Sequence, residues 1–281
     1  MNTPRTFTTI FAAAVVIGLA GCAASPAGGG GDEASNDLGL VKAGTLTICA
    51  NLETPPNIYA EADGTPVGVE VEIADAMAEV MGLTPSFQPM TFAGLIPALQ
   101  AKQCDTIIST LYIKPEREEI ANFVPYLISG SGVAVSKENP AGITGFDDSL
   151  CGVSAVAITG ATGAELLQEQ SDTCEADGKP PIEISLTDKA ADALQQVISG
   201  QIDAFMDSSE LMAFYEQESD GEFVPVGETV GKINIGAASL KDNEALHEAL
   251  MDAFASIVED GTYASILEKW NFQDLDIANA E

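Results

Sequence analysis

Cys104-Asp-Thr-Ile-Ile-Ser-Thr-Leu-Tyr-Ile-Lys-Pro-Glu-Arg117 reads as a strand, a turn and the start of a helix. Asp105–Thr110 is the strand. Pro115–Ala121 opens the helix, with proline in the first turn, where its missing N–H leaves no bond unmade. Arg117 therefore stands just past a strand end and at a helix start, where free N–H groups collect and anions bind. Its planar fork of donors can grip a carboxylate through two bonds. Beyond Arg5 it is the only arginine in the chain. A surface salt bridge to one of the many acids is the other reading of the same residue.

Outward from this stretch the same alternation repeats. Thr45–Ala50 reads as a strand, and Ile73, Met77, Val80 and Met81 mark a helix over Val69–Met81. Phe92–Lys102 is a second helix, with Pro97 near its first turn. Leu127–Ser136 is a long strand. Then come strand 151–158, a helix from 162, strand 182–186, helix 188–199 closed by Gly200, strand 202–206 and a helix from 208. Within 188–199, Ala191, Leu194, Val197 and Ile198 make one apolar face. Lys232–Leu240 is a second long strand. Leu246, Leu250, Phe254, Ile257 and Val258 mark a helix over 243–259, followed by Thr262–Trp270. Strand–helix alternation predicts an α/β fold with parallel sheets and ligand sites at strand ends. Two such sets imply two lobes, the chain crossing near 130 and near 234. Lobe 1 is then residues 40–130 plus 236–281, and lobe 2 residues 131–235. A double crossing makes a two-strand hinge over a cleft, which suits closure on a ligand.

Acids outnumber bases 43 to 11, and the formal net charge of −32 argues against nucleic acid. It also disfavours electrostatic docking on anionic lipid and is most simply a solvated exterior. His247 is the only histidine, so neither a multi-histidine metal site nor a cofactor is expected; it lies beside an apolar position and reads as surface. Trp270 reads as an anchor for the last helix. Residues 1–21 carry Arg5 and an apolar run from Ile10 to Ala20, too short to span a bilayer and suited to a secretory signal. Leu19-Ala20-Gly21-Cys22 resembles a bacterial lipobox, which implies acylation of Cys22; the alternative is an ordinary signal with a chance cysteine. Residues 22–39 form a Gly-rich tether. The expectation is an exported protein on the outer face of the cell membrane, held by a lipid anchor only.

Export makes disulfides reasonable among the other four cysteines. A strand and its following helix run antiparallel, which brings Cys174 back to Cys151 and leaves Cys49 with Cys104. Buried free thiols are the alternative.

Several stretches resemble the family 3 extracellular solute-binding proteins, the polar amino acid receptors of ABC importers. They are Phe92-Ala-Gly-Leu-Ile-Pro-Ala-Leu-Gln100, Cys104-Asp-Thr-Ile-Ile-Ser109 and Lys114-Pro-Glu-Arg117. Gly64-Thr-Pro-Val-Gly-Val-Glu-Val-Glu-Ile-Ala74, Gly200-Gln-Ile-Asp-Ala-Phe-Met-Asp207 and Asp260-Gly-Thr-Tyr-Ala-Ser-Ile-Leu-Glu-Lys-Trp270 agree, over about residues 44–272. The resemblance implies a two-lobed periplasmic-binding-protein-like fold of type II, with two parallel-rich sheets joined by two hinge strands. It implies that Arg117 holds a ligand α-carboxylate, with Ser109 and Thr110 lining the pocket. Gly160-Ala161-Thr162 would add N–H groups and a hydroxyl at a helix start. Asp207 would accept from the α-ammonium; a helix N-cap is its alternative role. Phe92 would stack on the ligand side chain, with core packing as its alternative.

Some positions depart from the family pattern. Tyr112 stands where Ser or Thr is usual, which reshapes the pocket near Arg117. Many members carry an aromatic at Thr54 or Asn57, and neither is aromatic here; Asn51 falls where some cation-preferring members carry Asp, and Ala161 often replaces a hydroxyl residue. Glu53 lies near the pocket in sequence and favours a cationic side chain if it faces it; a solvated loop acid is its plainer reading. The function implied is capture of a small zwitterion, a polar amino acid foremost, by a monomer that passes it to a membrane permease. A dehydratase-like enzyme using Glu53 as its acid, or a ligand-sensing domain, are the rival readings.

Overall fold

The computed structural model describes residues 38–279, so the expectations for the leader, Cys22 and most of the tether lie outside the described residues. The elements are β1 Thr45–Ala50, β2 Glu53–Thr54, β3 Ile58–Ala60, β4 Pro66–Val67, α1 Val69–Val80, β5 Thr84–Pro89, α2 Leu95–Gln100, β6 Thr106–Ile107, α3 Pro115–Glu118 and β7 Ala121–Ser136. They continue with β8 Ser154–Ile158, α4 Thr162–Ala176, β9 Glu183–Thr187, α5 Ala190–Ile198, β10 Ala204–Ser208, α6 Ser209–Glu218, β11 Phe223–Leu240, α7 Glu244–Glu259 and α8 Thr262–Trp270.

The strands form an eight-stranded sheet in the order β5-β1-β6-β11-β7-β10-β8-β9 and a small antiparallel sheet β2-β3-β4. β1, β5 and β6 make one parallel block, and β8, β9 and β10 another. The two parallel-rich sheets expected from the sequence are therefore joined edge to edge. The joint is the antiparallel pair β7–β11, with β6 bonded to β11 at Ala238 and Ser239 and β10 bonded to β7 along Ser131–Val135. At 16 and 18 residues these two strands start earlier than the sequence pattern suggests, because Pro125 interrupts the start of β7, and Pro225, Gly227 and Gly231 that of β11. Their register slips between Val226 and Val230 and again between Val230 and Ile233. Gly130 sits opposite this irregular stretch, and a Cβ there would lie 2.7 Å from the Gly231 carbonyl oxygen. No larger residue fits such a close approach.

The cores fall on the two blocks. Leu46, Ile48, Ile73, Met77, Tyr126, Leu250, Ile257 and Leu267 pack under α1, α7 and α8, and Leu95, Leu99, Ile107 and Leu111 pack beside Cys49 and Cys104. On the second block, Val156, Val197, Phe205 and Phe223 fill one face and Val133, Val135, Leu167 and Met206 the other. The apolar stripe of α5 is rotated from its expected place: Ala190, Ala193, Leu194 and Val197 are buried and Ala191 is exposed. In α7, Ala253 takes the buried position and Val258 is 46% exposed. His247 is half-buried rather than on the surface. Trp270 packs against the first core and donates to Glu72 Oε1 at 3.0 Å. Each block carries one disulfide, Cys49–Cys104 and Cys151–Cys174, both with Cα atoms 5.6 Å apart, the ordinary separation for such a bond.

Candidate binding site

The parallel strands of both blocks end at one place. β1 runs into Asn51, β6 into Ser109 and Thr110, β8 into Ala161 and Thr162, and β10 ends on Asp207 and Ser208. The crevice beyond the carboxyl ends of parallel strands is where such folds bind ligands. A cavity lies there, lined by Asn51, Thr54, Phe92, Thr110, Tyr112, Ser131, Ile158, Ala161, Thr162, Gly163, Asp207 and Ser208. Its free volume is small, about 30 Å³. A chamber of about 430 Å³ continues outward from Asn51, lined by Glu53, Met90, Asp188 and Lys189 among others.

Seven of the ten residues expected at the site meet in the inner cavity, and the other three stand near it. Arg117 is 8% exposed and packs beside the lining rather than in it, with the Phe92 ring centroid 5.7 Å from its guanidinium carbon. Its Nη1 donates to the Tyr112 carbonyl at 2.8 Å and Nη2 to the Gly160 carbonyl at 3.4 Å. An arginine has five N–H donors, so donors remain for a ligand. Burial lowers the affinity of this guanidinium for its proton, while the nearby Glu165 and Glu116 raise it. Ser109 is buried, with its Oγ accepting from Asn51 N at 2.7 Å. Glu53 belongs to the outer chamber, 4.0 Å from Lys189 Nζ.

Thr110 lines the cavity, yet its N–H and hydroxyl both turn away to Glu70, at 2.7–3.0 Å. Its φ of 48° is a rare, strained conformation for a β-branched residue. Glu70 is fully buried and also accepts from Tyr126 Oη at 2.7 Å. Burial pushes its carboxyl up to about 7, against the pull of the Tyr126 and Thr110 bonds. Lys114 joins this first wall to the second through an ion pair with Glu165 on α4.

The second wall is less occupied. Ala161 caps α4, but its N–H is taken by the Ile158 carbonyl at 3.0 Å, and Gly160 presents a carbonyl to Arg117. The N–H groups at the mouth of α4 therefore belong to Thr162 and Gly163, whose donors have no partner within the helix. Asp207 lies within β10, and Ser208 is the N-cap of α6, so the alternative capping role falls to the next residue. The Asp207 carboxylate accepts from Ser208 N at 2.7 Å, and no ion pair reaches it among the described residues. Burial pushes its carboxyl up to about 7; the Ser208 bond opposes this and Glu210 adds to it. Ser208 makes no side-chain cap bond, and its buried Oγ has no partner.

Glu70, Gly163, Ser131 and Ser208 were missed at the sequence level. Glu70 carries a readable signal: it lies three residues before Ile73 and seven before Met77, on the apolar stripe of α1. An acid on a buried stripe marks a buried partner.

The family model for bacterial extracellular solute-binding proteins, family 3, matches residues 46–274. The arginine-binding protein ArgT of Corynebacterium glutamicum is 31% identical over 84% of this chain and 77% of its own length. The L-cystine-binding protein TcyJ of Escherichia coli is 28% identical over 81% of this chain and 82% of its own length. An ancestral arginine-binding protein bound to arginine superposes with a TM-score of 0.73 and 30% identity, covering 81% of this chain and 98% of that one. The ancestral amino acid-binding protein AncCDT-1, a precursor of cyclohexadienyl dehydratase, gives 0.72 and 28%, over 81% of this chain and 95% of that one. With the match running from the first strand to the last helix, the chain belongs to the family 3 extracellular solute-binding proteins of bacteria.

Proposed function

We propose that this protein binds the zwitterionic end of a polar amino acid between two lobes and delivers it to an ABC importer. The observation that carries this reading is Asp207, a carboxylate at the cavity wall with no cation paired to it among the described residues. A desolvated acid without a partner is costly, and a ligand ammonium relieves it. Arg117, with donors to spare beside the same cavity, is the matching anchor for a carboxylate. Phe92 roofs the site, and Asn51, Thr110, Tyr112, Ala161 and Thr162 shape it. In this reading Ser109 acts by fixing Asn51, and Glu53 meets the far end of a long side chain in the outer chamber.

The inner cavity is too tight for an amino acid as it stands, so entry needs the walls to part. That favours lobes at residues 40–130 plus 236–281 and at 131–235, turning about β7 and β11. Ligand bonds to both lobes then favour the closed form. The Leu19–Cys22 motif supports acylation of Cys22 after removal of residues 1–21, and with it a place on the outer face of the membrane, near a permease. Among the described residues no helix is long and apolar enough to cross a membrane. The protein acts as a monomer and as a binder rather than an enzyme, as its curated relatives are named for binding.

A thermal-shift screen of the L-amino acids, with L-arginine and L-cystine in the first rank, tests the reading, since a ligand of the folded form alone raises the melting point. Calorimetry on Arg117→Ala is expected to show a loss of roughly 2–5 kcal/mol in binding. A loss below about threefold, near 0.6 kcal/mol, rejects Arg117 as the anchor.

A further inference from the structure

We propose that Tyr112 is a positioning residue that ties the ligand cavity to the hinge strands through a directed chain of hydroxyls ending on Glu210. This rests on the reading of the cavity as a ligand site. Tyr112 lines the cavity, its carbonyl accepts from Arg117 Nη1 at 2.8 Å, and its backbone bridges to Ile235 of β11. Its hydroxyl lies 3.1 Å from both Ser129 Oγ and the Gly130 carbonyl on β7. Ser129 Oγ lies 2.6 Å from Glu210 Oε2 on α6. A hydroxyl has one hydrogen to give, and an ionised carboxylate can only accept. With Glu210 ionised, the Ser129 hydrogen goes to Glu210, and the single Tyr112 hydrogen is shared between Ser129 Oγ and the Gly130 carbonyl.

The relay starts at the cavity wall of the first block, crosses β7, and ends on the helix that follows Asp207 and Ser208. Glu210 holds the first block a second way, with Oε1 accepting from Asn57 Nδ2 at 3.3 Å. Tyr112 is 5% exposed, Ser129 3% and Glu210 7%. In so dry a setting each bond is stronger than at the surface, and an unpaired member is costly. The three oxygens belong to three parts of the fold: the loop after β6, the strand β7 and the helix α6. In the proposed lobes Tyr112 and Ser129 fall on one side and Glu210 on the other, so the Ser129–Glu210 bond is the one that parting the walls would strain. Tyr112, placed where the family usually has Ser or Thr, thus reaches from the anchor of the ligand to the far lobe.

The test uses the full chain, with L-arginine as the probe in calorimetry and amide hydrogen exchange on the protein without added amino acid. Tyr112→Phe removes the hydroxyl and keeps the ring and carbonyl. Ser129→Ala breaks both bonds, and Ser129→Thr keeps a hydroxyl. Tyr112→Phe and Ser129→Ala are each expected to weaken L-arginine binding about three- to tenfold, with the double variant no weaker than the worse single one. Ser129→Thr restores most of the affinity. Tyr112→Phe is also expected to speed exchange in α6, a helix to which Tyr112 makes no direct hydrogen bond, by about threefold or more while leaving α5 unchanged. Losses that multiply in the double variant, or unchanged exchange in α6, overturn the relay. Should the wild-type chain not bind L-arginine, that choice of amino acid fails by itself, and exchange in α6 alone decides.

Discussion

Across the cavity, Thr110 and Asp207 live in opposite circumstances. Thr110 has both its donors held by Glu70, and around it Ser109 is bonded to Asn51 and Arg117 to Tyr112. Asp207 accepts only a local bond from Ser208, whose own hydroxyl has no partner. The first wall holds most of its polar groups in bonds of its own, with Arg117 keeping donors to spare. The second carries polar groups whose demand is unmet, and buried polar groups without partners are costly. This asymmetry suits the closure proposed above, in which a ligand would dock on the first wall and draw the second one in.

The largest break in this contrast is expected from Glu70→Ala. It strips the Thr110 N–H and the Tyr126 hydroxyl of their acceptor and frees the strained turn. Denaturant melts should show a loss of about 3–5 kcal/mol. A loss below about 1 kcal/mol would mean that the first wall does not depend on its buried acid.

Asp207→Asn sharpens the contrast by acting in two directions. Binding should fall by roughly 2–5 kcal/mol, as for one side of a buried charge pair. The protein without ligand should become more stable above neutral pH, because the substitution removes an unpaired charge that its half-buried surroundings desolvate. The pH profile checks the sign. The folded form holds protons on Asp207 and Glu70 up to about 7, well above their ordinary range. The stability from these two groups is therefore complete below the ordinary carboxylate range, falls as pH rises through about 7, and is flat beyond. Melting temperature against pH should decline over that window in the wild type and less steeply in Asp207→Asn. A wild-type profile that climbs over that window contradicts the assignment.

The smallest effect belongs to the rim. Lys189 and Glu53 are 4.0 Å apart with side chains 60% and 40% exposed. Lys189→Ala should change stability by less than about 0.5 kcal/mol, measured by the same melts. A larger change would move the contact between the two blocks from the buried relay to the surface.

Much of this was readable in the chain itself. β1 and α8 were read at their observed limits, and the left-handed Gly261 and Asn271 that bound α8 show why that helix can run no further. The strand-then-helix geometry around Cys151 and Cys174 brought that pair together. The small sheet was not legible, since strands of two or three residues carry no period. Nor was the shortness of β6, which is only Thr106–Ile107: just beyond it the Thr110 N–H and hydroxyl bond the Glu70 side chain. Side-chain direction was the deepest gap. The types at Ser109 and Thr110 were read, but only tertiary contacts show that their hydroxyls face inward. Ser208 was hidden behind Asp207, and Glu210 looked like one acid among many.

The slipped register of β7 and β11 carries a mechanical consequence. A ladder that lapses for a few rungs and then resumes is soft at one line and stiff on both sides of it. Flexure along that crease strains few backbone bonds, because the missing ones are already absent. A swing along that crease, as the proposed closure requires, would leave the helices and cores of both blocks intact.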